Sequence, residues 1–355
     1  MTRPIEARIS LGALAKNLSR VRQYAPRSDI LSVIKADAYG HGMLEAARAL
    51  SSSEGFALLD LNEALKLRQA GYRQKIVLLE GFFAEDELIE ISEKGIDVVI
   101  HCEDQVDMLE SSSLKKKIGV HLKCNTGMNR LGFRPEMFGR MLGRLEKLDA
   151  VGEIVLMTHF YCADGKEGVK GQMTAFEQAA GESILPRSLA NSAALIRYPE
   201  TRSEWVRPGI MLYGSSPFDG ESAESLGLLP AMTLFSRIIA VQEVEKGEGI
   251  GYGPLFRAER KTRVGIVACG YADGYPRHAP NGTPVLIGNR MTATGGRVSM
   301  DMLYVDITDI RDAGTGSEVV LWGEGLPAEE VAKTCGTISY ELLCALAPRV
   351  PVAYI

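Results

Sequence analysis

Short, almost wholly apolar runs alternate with amphipathic stretches along the first two thirds of the chain. Eight strand candidates follow in order: Ile30–Ile34, Gly55–Leu59, Lys75–Leu79, Asp97–Ile100, Gly119–Lys123, Glu153–Thr158, Arg187–Ala190 and Glu204–Arg207. Between them, apolar positions recur with helical spacing over Glu63–Gln69, Glu85–Glu93, Pro135–Leu148 and Lys170–Ala180. Strands that are apolar on both faces and separated by helices describe a parallel sheet covered on both sides. Eight such units in about 220 residues predict a (β/α)8 TIM barrel rather than an open doubly wound sheet. No glycine fingerprint opens the first helix, which removes the main support for a dinucleotide-binding sheet. The last two strand candidates are the weakest, being short and only partly apolar.

The pattern changes near residue 218. Pro217-Phe218-Asp219-Gly220-Glu221-Ser222 reads as a linker. Beyond it, strand-like stretches occupy Met232–Val244, Arg263–Ala268, Thr283–Ile287, Met302–Ile307 and Glu318–Trp322, divided by glycine-rich turns and one short helix near Ala328–Thr334. A mostly β C-terminal domain is therefore expected over residues 226–355, after a barrel over 11–225. The run Glu6–Leu11 precedes the first barrel strand and has no barrel role, so residues 1–10 are expected to pair with the C-terminal domain.

Composition narrows the partners. Lys and Arg (40) are slightly outnumbered by Asp and Glu (45), for a net charge of -5, and the only basic run is the triplet Lys115-Lys116-Lys117, which reads as a solvated turn. A nucleic-acid partner is not expected. The six cysteines show no C-x-x-C and no metal-ligand spacing, so reduced thiols and no metal site are expected. The first residues lack a secretory apolar core, and no apolar run approaches the ~20 residues of a membrane span. These features fit a cytoplasmic protein.

Barrel enzymes carry their chemistry at the C-terminal ends of the strands. At the end of the first strand candidate stands Lys35, directly after Val33-Ile34. A lysine beside apolar walls loses its proton more easily, as an imine-forming amine must. A lysine snorkelling from a strand end is the plainer alternative.

The run Lys35-Ala36-Asp37-Ala38-Tyr39-Gly40-His41-Gly42 resembles the cofactor-lysine motif of alanine racemases. The resemblance continues in the family's order through Lys123-Cys124-Asn125-Thr126-Gly127-Met128-Asn129-Arg130-Leu131-Gly132, Thr158-His159-Phe160 and Asn191-Ser192. It extends through Arg207-Pro208-Gly209-Ile210, Gly251-Tyr252-Gly253, Gly270-Tyr271-Ala272-Asp273-Gly274, Gly296-Arg297-Val298-Ser299-Met300-Asp301 and Ser339-Tyr340-Glu341.

That resemblance implies a homodimeric, pyridoxal 5'-phosphate-dependent isomerase that interconverts L- and D-alanine for peptidoglycan or in alanine catabolism. Lys35 would hold the cofactor covalently and serve as the base on one face of the substrate. Tyr252, reaching the site of the other subunit, would serve the opposite face. An ordinary phenol, with a pKa of about 10, is a poor base near neutrality, and Arg207 with His159 would form the hydrogen-bonded chain that lowers it. Asn191, Ser192, Gly209, Ile210, Tyr39 and Tyr340 match cofactor- or phosphate-binding positions, and barrels often bind phosphate after strands seven and eight. Arg207 matches the arginine facing the pyridine nitrogen. Because it keeps its proton, it would leave that nitrogen unprotonated and shorten the life of any carbanion. Arg130, Tyr271 and Met300 match residues of the substrate carboxylate site and entrance, the last two contributed by the partner. Lys123 matches a position often carbamylated in the family, where the new anion would brace Arg130. Asp301 reads as a structural carboxylate near the entrance.

Asn125 stands where many relatives carry aspartate, and Ser299 where some carry cysteine. These departures leave the bracing of Arg130 and the finish of the carboxylate pocket open. A serine or broad-specificity racemase of the same architecture is the nearest rival. A non-catalytic pyridoxal phosphate barrel would lack residues 230–355, and a decarboxylase of this fold type usually carries an acidic residue at the position of Arg207.

Overall fold

In a computed structural model, residues 3–253 and 255–355 are described. The chain begins with strand β1 (Glu6–Ile9). Ser10 then caps a helix over Leu11–Tyr24, its hydroxyl accepting from the Ala13 amide, and Leu14, Leu18 and Val21 form the buried stripe expected of an amphipathic helix.

Eight parallel strands follow and close on themselves: β2 (Asp29–Val33), β3 (Gly55–Leu58), β4 (Lys75–Leu78), β5 (Asp97–Ile100), β6 (Ile118–Lys123), β7 (Val151–Met157), β8 (Arg187–Ser188) and β9 (Trp205–Val206). The ring closes where Asp29 and Ile30 of β2 pair with Trp205 and Val206 of β9. The TIM barrel thus forms from the eight expected runs. Differences lie at the ends: β7 starts earlier than its apolar run, at Val151, and β8 and β9 are only two residues each. Just beyond them the Arg207 amide still donates to the Ala190 carbonyl, and Arg207 and the next residue after Ala190, Asn191, line a cavity. Helices over Leu61–Gln69, Glu87–Lys94, Pro135–Leu145 and Lys170–Ala180 match the periodic stretches, with the Pro135 helix ending three residues short of the expected Leu148.

The second domain is an eight-stranded sheet of β1, β10 (Met232–Val244), β11 (Thr262–Val267), β12 (Pro284–Ile287), β13 (Arg290–Ala293), β14 (Leu303–Asp306), β15 (Glu318–Trp322) and β16 (Val352–Tyr354). Strand β10 is long enough to serve two neighbourhoods. Its first half pairs with β1 and β15, and after a register shift at Ile238/Ala240 its second half pairs with β11. Strand β1 lies between β10 and β16, antiparallel to one and parallel to the other.

Pro217–Ser222 is not a free linker. Phe218 is buried beneath the Arg197 guanidinium, 3.4 Å from its ring centre, and Arg197 also pairs with Glu221. The Lys115–Lys117 triplet is exposed, and the six cysteines are unbridged. Among the described residues no helix is long and apolar enough to cross a membrane, and no cluster of three or more metal-binding side chains occurs.

Candidate active site

A cavity of about 1590 Å³ opens at the C-terminal ends of the barrel strands. Lys35 lines it from just past β2, Lys123 from the end of β6, His159 from beyond β7, Asn191 and Ser192 from beyond β8, and Arg207, Gly209 and Ile210 from beyond β9. Arg130, Tyr39 and Tyr340 complete the set, the last supplied by the helix Ser339–Cys344 of the second domain.

Lys35 opens an unusual turn. Ala36, Asp37, Ala38 and Tyr39 take φ of 52–54° and ψ of 40–52°, one turn of left-handed helix built without glycine. Such a conformation costs about 1–2 kcal/mol per residue, so the surroundings must impose it. The Asp37 carboxylate accepts from the Met43 amide, tying the turn to the next helix. The turn turns Tyr39 inward, where its ring stacks on Tyr213 at 4.6 Å and approaches Tyr340 at 6.0 Å.

The Tyr39 hydroxyl faces the backbone at Gly209. A Cβ there would come within 2.6 Å of that oxygen, so only glycine leaves the space open. The Ser192 hydroxyl accepts from the Gly209 amide at 2.9 Å and from the Met211 amide at 3.5 Å. Asn191 caps the Ser192–Arg197 helix by accepting from the Ala194 amide, and its own amide donates to the Phe160 carbonyl. Hydroxyls and backbone amides thus gather at one end of the cavity, a donor set suited to a phosphate.

Cations gather at the other end. Burial, reinforced by Arg130, lowers the pKa of the Lys35 amine. Burial and the neighbouring Arg207, Arg130 and Lys35 push Lys123 down to about 8. Burial alone brings Arg207 to about 10, still a cation at neutral pH. Its terminal nitrogens donate to Ser188 O and Oγ (2.5 and 2.8 Å), Thr158 O (2.7 Å) and Leu189 O (3.2 Å). Among the described residues only its Nε–H has no protein acceptor. His159, pushed well below its ordinary pKa by burial and then by Arg207, is neutral. Within the single chain no hydrogen bond joins His159 to Arg207.

Three residues singled out in the sequence do not line this cavity. Tyr252, Tyr271 and Met300 lie on the second domain, 70%, 38% and 53% exposed. They are connected to one another: the Tyr271 amide donates to Ser299 O, Ala272 to Met300 O, and Tyr304 lies against Gly251 while its hydroxyl meets Ser299 Oγ at 3.3 Å. Asp301 is held by Arg349 at 2.6 Å.

Sequence reasoning missed Asp273, whose fully buried carboxylate accepts from Arg3, Arg349 and the Gly270 amide. Those donors hold its pKa below the ordinary carboxylate value although burial, the largest influence, opposes them. It fixes the loop that carries Tyr271. The only signal in the chain was an aspartate inside a glycine-flanked motif. The departures also have local explanations. Asn125 accepts from the amides of Gly127 and Asn129 and donates to Asn129 Oδ1, so it shapes its own loop rather than bracing Arg130.

A barrel whose mouth holds a lysine made less basic by burial, together with a cradle of hydroxyls and backbone amides, and which is joined to a β domain, defines a class of barrel enzymes. Residues 9–217 match the family described as alanine racemase, N-terminal domain, and residues 231–354 match alanine racemase, C-terminal domain. The chain belongs to the alanine racemase family. It is 57% identical over 352 residues to the alanine racemase of Nitrosospira multiformis (98% of this chain, 99% of the other) and 53% identical over 355 residues to that of Nitrosomonas europaea (99% and 98%). The biosynthetic alanine racemase of Pseudomonas aeruginosa superposes with a TM-score of 0.97 at 43% identity, covering all of both chains.

Proposed function

We propose that this protein interconverts L- and D-alanine with pyridoxal 5'-phosphate as its cofactor. The observation that carries the reading is the facing of Lys35, its amine made less basic by burial, and the Tyr39–Gly209 cradle across one cavity. The donor set fits the cofactor: an amine able to condense with an aldehyde, and hydroxyls and amides able to take a phosphate. When bound, pyridoxal phosphate supplies the electron-withdrawing ring that acidifies the Cα–H of an amino acid.

Ser192, Gly209, Ile210, Tyr39 and Tyr340 hold the phosphate end. The free Nε–H of Arg207 is the donor available to a ring nitrogen, and the carbonyls around its other nitrogens fix its direction. Lys35 takes or returns the proton on one face of Cα. Tyr252 of the partner subunit serves the other face, with Tyr271 of the partner subunit and Met300 of the partner subunit bordering the carboxylate beside Arg130. Tyr252, Leu255, Tyr271, Met300 and Met302 are large apolar side chains left exposed on the second domain, as residues that a second copy covers would be, which supports a homodimer. Lys123 is suited to carbamylation because part of it is neutral near pH 8, and an anion there would sit among three cations.

Chiral chromatography of L-alanine incubated with purified protein and pyridoxal phosphate tests the reading. Convergence on equal amounts of both enantiomers is expected, with L-serine and L-lysine turned over more slowly. A folded, cofactor-loaded protein that makes no D-alanine would overturn the proposal.

A further inference from the structure

His41 is completely buried, yet nothing in the proposed chemistry uses it. Its Nδ1 lies 3.0 Å from the Ala38 carbonyl and 2.9 Å from the Tyr39 carbonyl. Between two acceptors this nitrogen must carry the hydrogen, so the ring is the Nδ1–H tautomer. Its Nε2 has no protein partner among the described residues. With no acceptor for a second proton, the ring stays neutral, and burial pushes its pKa down to about 4 against the pull of the two backbone bonds. His41 is therefore a donor of one fixed hydrogen and not an acid or base.

The two carbonyls it serves belong to the last residues of the left-handed turn. A left-handed turn does not continue into a helix that would supply the next amides, so these oxygens need donors from elsewhere. The Ala38 carbonyl also takes the His41 amide at 3.1 Å, whereas among the described residues the His41 ring is the one donor to the Tyr39 carbonyl. The ring does a second job. It packs on Tyr213 at 4.6 Å; Tyr213 stacks on Tyr39, and its hydroxyl donates to the Val33 carbonyl at 2.8 Å. Val33 stands two residues before Lys35, and Ala38 three after it. His41 thus reaches the chain on both sides of the lysine.

We infer that His41 is a positioning residue, whose Nδ1–H locks the left-handed turn and so aims the Lys35 amine and the Tyr39 hydroxyl at the two ends of one ligand. This rests on the reading that Lys35 and Tyr39 hold pyridoxal phosphate. Lys35 departs from the turn at its start and Tyr39 at its end, so relaxation of the turn toward right-handed geometry moves the two groups relative to each other.

The test is equilibrium titration of the dialysed full-length chain with pyridoxal phosphate and with pyridoxal, which lacks the phosphate, followed by visible absorbance. Asparagine places an amide donor near the position of Nδ1, and phenylalanine keeps ring volume without a donor. His41→Phe is expected to weaken pyridoxal phosphate at least about tenfold and to narrow its advantage over pyridoxal, since the Tyr39 hydroxyl leaves the phosphate. His41→Asn is expected to restore both to within about threefold of the parent. The inference is overturned if His41→Phe binds like the parent, if both ligands weaken by the same factor, or if His41→Asn binds as poorly as His41→Phe. Should His41→Phe fail to fold, His41→Asn alone decides: parental affinity and selectivity support the inference, and loss of either overturns it. If the parent binds no pyridoxal phosphate, or Lys35→Ala acquires the parent's visible band, the cofactor reading fails instead.

Discussion

The hydroxyl of Tyr39 and the backbone of Gly209 come so close that a Cβ at 209 would lie 2.6 Å from the oxygen. Tyr39 is held by the left-handed turn and by Tyr213, so it has little room to retreat. Gly209→Ala is expected to weaken pyridoxal phosphate by about tenfold or more while leaving the far-ultraviolet circular dichroism unchanged, since about 1–3 kcal/mol is the usual cost of overpacking a well-filled site. Unaltered affinity in a cofactor titration would show that the contact does not shape the phosphate end.

Lys123 is brought down to about 8 by burial and three surrounding cations. Carbon dioxide reacts with the neutral amine only, so native mass spectrometry near pH 8 in bicarbonate should show the mass of one added carbon dioxide, lost in Lys123→Ala. Acidification to pH 6 should remove it. If added mass persists in Lys123→Ala, the modification sits elsewhere.

The buried histidines predict acid sensitivity with a definite sign. Burial lowers His41 to about 4 and His121, which also feels Lys75 and Arg207, to about 3; in an unfolded chain both titrate near 6.5. Below 6.5 the unfolded chain therefore binds protons that the folded one refuses, and stability falls as pH drops from about 6.5 toward 4. The slope is up to ~1.4 kcal/mol per pH unit for each histidine. Carboxylates scarcely titrate between 6.5 and 5.5, so urea midpoints across that interval report the histidines together, including His159 and His101, which burial also holds below their ordinary values. His121→Leu should flatten the curve by about one histidine's share; an unchanged slope would assign it to other groups.

Asp273 ties Arg3 and Arg349 to the loop bearing Tyr271. Both arginines remain partly exposed and can rehydrate, so Asp273→Asn should cost about 1–3 kcal/mol of stability rather than the larger penalty of a stranded buried charge. Thermal unfolding gives that number. Because the loop moves with it, KM for alanine should rise more than kcat falls.

Tyr252→Phe should retain bound cofactor yet exchange the Cα proton of one enantiomer far more slowly than that of the other in deuterated water. Equal slowing of both would assign the second proton to another group.

The barrel was legible because its strands are apolar on both faces, and β4, β5 and β6 end within a residue of the change in pattern. Strands β13 and β16 escaped, since Arg290–Ala293 is half polar and Val352–Tyr354 is largely exposed, leaving no period to read. The left-handed turn could not be foreseen from Ala-Asp-Ala-Tyr, which locally prefers an ordinary helix. It is held by the adjoining His41 ring and by Gly40 and Gly42, where a Cβ would strike Leu343 O and the Tyr354 hydroxyl, atoms about three hundred residues away in the chain. Lys35 was legible from its strand end. The reading of Tyr252 rests on resemblance alone, because within one chain nothing around it distinguishes it from a loop tyrosine.

Strand β1 belongs to the second domain's sheet although the chain passes from it straight into the barrel. A ribosome makes β1 (Glu6–Ile9) first, its partner β10 (Met232–Val244) only after about 220 further residues, and its partner β16 (Val352–Tyr354) only after about 340. The barrel can close while that strand waits, but the sheet cannot close without it. The β domain is thus drawn from both sides of the barrel along the chain, and neither domain can be excised or exchanged at a single cut. Swapping the β domain between relatives would require carrying two separate pieces of chain, one from each side of the barrel.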